Sequence, residues 1–121
     1  MALAAGIILI LISIVHIIYG EKQQIPNLKK ITQDSIIIGS TRIMVSQGGF
    51  ILLAVGIIQV LTSINIIELV GVARYFPVGI VIINVCTSLI IAIFAHKEIF
   101  KITIPQFIIF SVIIALQSLS V

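Results

Sequence analysis

The sequence predicts an all-α membrane protein, a bundle of four transmembrane helices that run up, down, up and down. Its 121 residues are 60% hydrophobic and only 9% charged, whereas a soluble domain is about 25% charged. Mean hydropathy is +1.36, so the chain has too few polar residues to cover a surface that faces water. The apolar residues form four segments, each near the roughly 20 residues that cross about 30 Å of hydrocarbon.

The predicted spans make the whole chain one integral membrane domain. They cover about residues 3–19, 43–62, 77–95 and 105–121. Because proline fits the first turn of a helix, Pro77 and Pro105 indicate where spans three and four begin. The first helix is expected to end at Gly20, and Pro26 to prevent a continuous helix between spans one and two. We interpret the first span as retained, since no basic residue precedes it and no A-x-A-like cleavage site follows it.

Basic residues predict how the bundle is oriented. Loops one and three, residues 20–42 and 96–104, hold six of the seven: Lys22, Lys29, Lys30, Arg42, Lys97 and Lys101. The second loop holds only Arg74. Because Lys and Arg resist translocation, both basic loops are expected in the cytoplasm and both termini outside, in the plasma membrane.

Small residues predict where the helices touch. Lipid gives helices no hydrophobic reason to associate, so close backbone approach must hold them together. Gly49 and Gly56 share one face of span two. The remaining small residues expected at interfaces are Ala2, Gly6, Ser88, Ala92, Ala95, Ser111, Ala115 and Ser118. Four amides are expected to face inward as interhelical hydrogen-bond partners: Gln47, Gln59, Asn84 and Gln117.

A cluster of polar residues is predicted at the cytoplasmic end of the bundle. It comprises His16, Tyr19, Glu21, Arg42, Gln47 and His96. Polar groups at membrane depth often have a function, and a histidine changes charge near neutral pH. The alternative is structural: His16 bonds a neighbouring helix, and Glu21 pairs with Arg42 or a loop lysine. Both interpretations stay open.

The sequence offers little for catalysis or for cofactor binding. His16 and His96 could serve as axial haem ligands on two helices, but His96 falls too near the end of its span, and we expect no cofactor. Neither HxxxH, ExxH nor a cysteine pair is present to hold a metal. The middle of span one, residues 6–14, lacks the carboxylate of small four-helix proton-coupled exporters. No phosphate loop or Ser-His-Asp set indicates an enzyme.

The first half of the chain resembles small uncharacterised four-helix membrane proteins of prokaryotes. The residues that carry the resemblance are His16, Gly20, Glu21, Pro26, Leu28, Ser40, Arg42 and Gln47. In those proteins a Trp-His pair lies early in the second helix. Here Ser46 and Gln47 stand in its place, so a two-histidine site is not expected. The resemblance implies a four-helix fold and no activity.

Two functional classes follow. The first is a non-enzymatic accessory or structural subunit, whose partners are the lipid bilayer and other membrane subunits or copies of itself. The second is a protein that binds or transports a small molecule, a lipid or protons at a polar site at the cytoplasmic end. No nucleic-acid partner is expected. A water-filled cavity reaching His16 and Gln47 would favour the second class, and a packed interior with an apolar stripe facing a neighbour would favour the first.

Overall fold

Four long helices make up most of the fold. The computed structural model describes residues 1–120, so Val121, the last residue of the fourth predicted span, lies outside the described residues. The long helices are α1 (Ala2–Tyr19), α3 (Ser35–Ser63), α4 (Phe76–Phe94) and α5 (Lys97–Ser118), and a short helix, α2 (Ile25–Ile31), lies between α1 and α3. A π-helical turn, Gly20–Gln24, joins α1 to α2, and a 3-10 turn, Gly71–Tyr75, precedes α4. The predicted all-α class is confirmed.

All four helical stretches are long and apolar enough to cross a membrane: Ala2–Ile31, Ser35–Ser63, Gly71–Phe94 and Lys97–Ser118. At most 28% of the most apolar window of any stretch is buried inside the protein. Such exposed apolar faces would drive aggregation in water, but they suit contact with lipid tails. The fold is therefore that of a multi-pass membrane protein.

The first loop is much shorter than the predicted 20–42, because the first helix does not end at Gly20. The chain stays helical through the π turn, in which the Ile25 N–H donates to the Gly20 carbonyl. Pro26 then falls in the first turn of α2. Its missing N–H and its ring lie where the regular hydrogen-bond pattern is already interrupted, so the proline does not end the helix. Only residues 32–34 remain between α2 and α3.

The helix that contains the second predicted span begins at Ser35, at the apolar run Ser35 to Gly39 that had left a start before residue 43 open. Asp34 caps α3, since its Oδ1 accepts a hydrogen bond from the Ile36 N–H at 2.9 Å. At 1.5 Å per residue, α3 and the stretch Ala2–Ile31 are each about 45 Å long, roughly 15 Å more than the hydrocarbon core. Both project at the end of the bundle that carries Lys22, Lys29, Lys30, Arg42, Lys97 and Lys101, which we call the basic end.

The helix of the fourth predicted span, α5, begins at Lys97, so Pro105 lies inside it rather than at its start. The connection between α4 and α5 is residues 95–96 instead of the predicted loop 96–104. A proline inside a membrane helix is tolerated where side chains and neighbouring helices compensate for the lost bond. The carbonyl that loses its usual donor to Pro105 is that of Lys101, whereas the Thr103 hydroxyl donates to the carbonyls of Ile99 and Phe100, both at 3.1 Å. The Phe100 and Phe107 rings, with centroids 6.1 Å apart, pack across the proline.

The closest helix contact is between α1 and α3, which pack antiparallel. A Cβ on Gly6 would lie 3.0 Å from the Val60 backbone nitrogen, and one on Gly56 would lie 3.0 Å from that of Ile10. Gly49 faces Ile17, and Gly20 faces Val45. The two backbones therefore meet along a row of glycines, as small residues at membrane interfaces allow.

The stripe of small residues predicted on the fourth helix is wrong. Ser111 and Ala115 are exposed, whereas Phe110, Ile113 and Gln117 form the buried side of α5. The Ser111 hydroxyl donates to the Phe107 carbonyl of its own helix at 2.7 Å, so it needs no neighbour. Ala95 and Ser118 are also exposed. On α4, Ala92 is buried and Ser88 half-buried.

A hydrophobic core at mid-height joins all four spans. It consists of Leu9, Leu52, Val55, Val81, Phe110 and Ile113. Cavities lie on both sides of this core, one toward the basic end and one toward the opposite end. The core thus separates two compartments within one bundle.

Candidate functional site

A cavity of about 620 Å³ lies between α1, α3, α4 and α5, in the half of the bundle nearer the basic end. Most of its wall is apolar, and Leu52 and Phe110 of the central core belong to its lining. Six polar side chains also line it: His16, Tyr19, Gln24, Asn84, Thr103 and Gln106. The cavity thus combines an apolar wall with polar groups from several helices.

The cavity opens sideways, between α1 and α5. Val15 on α1 is 64% exposed and Ile102 on α5 is 76% exposed, and both belong to its lining. Both side chains are apolar, which suits contact with lipid tails, and the exposed Lys101 lies next to Ile102.

His16 is the polar residue placed most directly by helix packing. It lies in the last turn of α1 and is half-buried. Its ring Cδ2 is 3.4 Å from the point that a Cβ on Gly49 would occupy, so the absence of a side chain at Gly49 makes room for the ring. Tyr19, three residues later on the same helix face, lines the same cavity, as does Asn84 of α4.

Glu21 and Arg42 form the ion pair that the structural interpretation expected. Arg42 Nε lies 3.0 Å from Glu21 Oε1, with the two side chains 46% and 44% exposed. The pair ties the π turn to α3, but neither residue lines the cavity. An ion pair this exposed contributes about 0–1 kcal/mol. It therefore helps to hold the helix ends together rather than forming part of a binding wall.

Gln47 and His96, the other two members of the predicted cluster, lie apart from the cavity. Gln47 is exposed and lines a shallow groove on the outside of α3 with Arg42 and Phe50. It precedes the buried Gly49 by two residues, which is about 200° around a helix, so it cannot share the inward face. His96 is exposed just before α5, with Nδ1 3.5 Å from Glu98 Oε1.

These positions bear on the metal and haem sites considered from the sequence. His96 does not line the cavity that His16 lines, so the two rings do not form a pair of axial ligands across it. Within residues 1–120, no group of three or more His, Cys, Asp or Glu side chains could hold a metal ion. Cys86 is a free thiol on the exposed side of α4.

The chain matches no family model, no curated protein and no solved structure. The resemblance to small four-helix proteins of prokaryotes therefore stays a prediction. The cavity has to be interpreted from its own chemistry.

Sequence reasoning missed several polar residues of the cavity. Thr103 and Gln106 went unnoticed because Pro105 was interpreted as the start of a helix, which left this stretch at the edge of the span. Gln24 was assigned to a loop, although the π turn keeps it on the helix. Asn84 was predicted to face inward, since an amide in the middle of an apolar span is costly elsewhere, but as an interhelical hydrogen-bond partner rather than as a cavity residue.

Proposed function

We propose that this protein binds a small amphipathic molecule inside the membrane, in the cavity beside His16. The observation that carries the proposal is the cavity itself. Its volume of about 620 Å³ is within the range of small-molecule sites, and a mostly apolar wall with a few convergent polar groups is typical of them. The cavity reaches His16 but not Gln47, and we favour the binding alternative over a packed structural subunit on the strength of His16 and the other polar lining residues.

The lining indicates the chemical class of the ligand. Ile12, Val15 and Ile109 offer contacts for an apolar body. The ring nitrogens of His16 and the amides of Asn84 and Gln106 are groups that form hydrogen bonds. Among the described residues, neither a carboxylate nor a Lys or Arg lines the cavity. These groups suit a hydroxyl, carbonyl or amide head on an apolar chain.

The sideways opening supports entry from the bilayer. With the head beside His16, an apolar tail could leave between Val15 and Ile102 and stay among the lipid tails. Only the head would then have to exchange its surroundings, so the tail would lose little favourable contact with lipid.

Filling the cavity at Gly48 should weaken binding without disturbing the fold. Gly48 lines the cavity, and nothing lies within 4 Å of the position its Cβ would take. In phosphatidylcholine vesicles, a long-chain fatty alcohol carrying a diazirine should label peptides containing Val15 and Ile102. Gly48→Leu should weaken the apparent affinity by about tenfold, or about 1.4 kcal/mol, as measured by mass spectrometry of the labelled peptides.

Gly79→Leu is the matched control, because Gly79 is also helical with open space around it but does not line the cavity. It should label as the parent does. Equal labelling of Gly48→Leu and the parent would contradict the proposal. It would favour the accessory-subunit interpretation, to be pursued by co-purification in mild detergent.

We further propose that the basic end faces the cytoplasm, in the plasma membrane, which places both ends of the chain outside. The support is the charge bias, with six of seven basic residues at that end. In a Cys86→Ala background, cysteines at Gln23 and Glu98 should be protected from an impermeant maleimide in intact cells, while one at Asn65 should react. All three positions are exposed. The reverse labelling pattern would overturn the orientation.

A further inference from the structure

A second pocket, of about 370 Å³, lies at the end of the bundle opposite the basic end. The start of α1, the end of α3, the start of α4 and the end of α5 surround it. Its lining is rich in polar side chains: Gln59, Thr62, Ser63, Arg74, Gln117 and Ser120. The central core separates it from the cavity beside His16, so its chemistry is independent of the function proposed above.

Two buried glutamines form the inner wall of this pocket. Gln117 is 1% exposed and Gln59 is 7% exposed, and Gln117 Nε2 donates to Gln59 Oε1 at 3.2 Å. Gln117 Oε1 is buried and accepts no hydrogen bond from residues 1–120. Leaving a buried acceptor unpaired costs about 1–3 kcal/mol. Gln117 lines the pocket, and its Oε1 is closed to it in this structure, so a donor on a bound molecule would reach that oxygen once the amide turns toward the pocket.

The hydroxyls around the pocket offer more acceptors. Each hydroxyl donates to a backbone carbonyl four residues earlier: Thr62 to that of Ile58 at 2.8 Å, Ser63 to that of Gln59 at 2.7 Å and Ser120 to that of Leu116 at 2.8 Å. Because each hydroxyl hydrogen is used within its own helix, the oxygen lone pairs remain for a ligand that donates. A molecule with hydroxyl or amine hydrogens would match this set.

Arg74 adds a positive charge to the pocket. It lies on the 3-10 turn before α4, and it is the one basic residue away from the basic end. Among the described residues, no carboxylate lies within ion-pair distance of it. A guanidinium has a fixed fork of donors that matches phosphate oxygens. The pocket therefore offers a cation for an anion and acceptors for nearby donors.

We propose that this pocket binds a glycerol-phosphate group, with the phosphate on Arg74 and a glycerol hydroxyl donating to Gln117 Oε1. The group could come from two sources. One is the headgroup of phosphatidylglycerol in the adjoining leaflet, and the other is free glycerol 3-phosphate in the surrounding solution.

The test measures both sources on the full chain in detergent micelles. Native mass spectrometry follows phosphatidylglycerol against phosphatidylcholine, and equilibrium dialysis follows radiolabelled glycerol 3-phosphate. Arg74→Gln should weaken binding by about tenfold or more, and Arg74→Lys should weaken it less. Lys101→Gln is the control, since it removes the same charge at the basic end. Gln59→Leu with Gln117→Leu removes the acceptor while keeping the site filled, and should also weaken binding.

The outcomes divide clearly. Saturable binding of the lipid alone assigns the pocket to a headgroup, and binding of the soluble probe assigns it to a solute. If neither probe binds saturably, the pocket holds water only and the proposal is wrong. It is equally wrong if Lys101→Gln weakens binding as much as Arg74→Gln does, or if the double glutamine variant binds as the parent. Gly48→Leu should leave this binding unchanged.

Discussion

Replacing Gly56 by Leu is expected to destabilise the bundle by about 3 kcal/mol or more. A Cβ at this position would lie 2.8 Å from Ile10 Cγ1, 3.0 Å from the Ile10 nitrogen and 3.1 Å from the Gly6 carbonyl oxygen. Two of these atoms are backbone, so they cannot move aside as a side chain can. The leucine must push α1 away from α3 and lose the closest contact of the fold. Titration with sodium dodecyl sulfate, followed by circular dichroism, measures the loss.

Gly79→Leu is the control for this variant, because no atom lies within 4 Å of the Cβ it would add. It should unfold at the same detergent concentration as the parent, or slightly higher, since Leu is a better helix former than Gly. If Gly56→Leu and Gly79→Leu unfold together, the α1–α3 contact is not where the glycines place it.

Single substitution of either buried glutamine should cost about 1–2 kcal/mol of stability. In Gln117→Leu the Oε1 of Gln59 loses its donor, and in Gln59→Leu the Nε2 of Gln117 loses its acceptor. The double Leu variant leaves neither amide unpaired, so it should be closer in stability to the parent than the sum of the single losses. The same detergent titration measures all three.

A double variant whose loss equals the sum of the two single losses would contradict this prediction. It would mean that the 3.2 Å contact between Gln117 Nε2 and Gln59 Oε1 contributes no coupling. Gln47→Leu gives a comparison at an exposed site on α3, where the same chemical change should leave stability within about 0.5 kcal/mol of the parent.

The glycines show how far sequence spacing can reach. Gly49 and Gly56 were expected on one face because seven residues make nearly two helical turns, and both lie against α1 in the structure. Gly20 was expected to end the first helix. The π turn continues the helix, and Gly20 is instead buried against Val45. The spacing of the glycines identified the packing face of α3, but it could not show how far along the chain the helix packed against it continues.

The prolines mark a second limit. Pro77 lies in the first turn of α4, as predicted, but Pro26 and Pro105 lie within helical stretches. A proline is disfavoured in a helix by a few kcal/mol, an amount that neighbouring contacts in a membrane bundle can offset. The predicted loops were too long for this reason, and the predicted site therefore did not include Gln24, Thr103 and Gln106.

By itself the sequence determined the class of the protein and the separation of charge along it. Sixty per cent hydrophobic residues in four long runs leave no other environment than lipid for the helices. Only the tertiary structure decided which faces meet, and so which polar residues share a cavity. In a soluble helix the apolar stripe marks the buried face, but here the lipid-facing and inward-facing residues are equally apolar. Hydropathy cannot distinguish them, so the shapes of the helix surfaces determine which faces pack together. Glycines let the backbones of α1 and α3 approach each other, and on α5 Phe110 rather than Ser111 packs into the core.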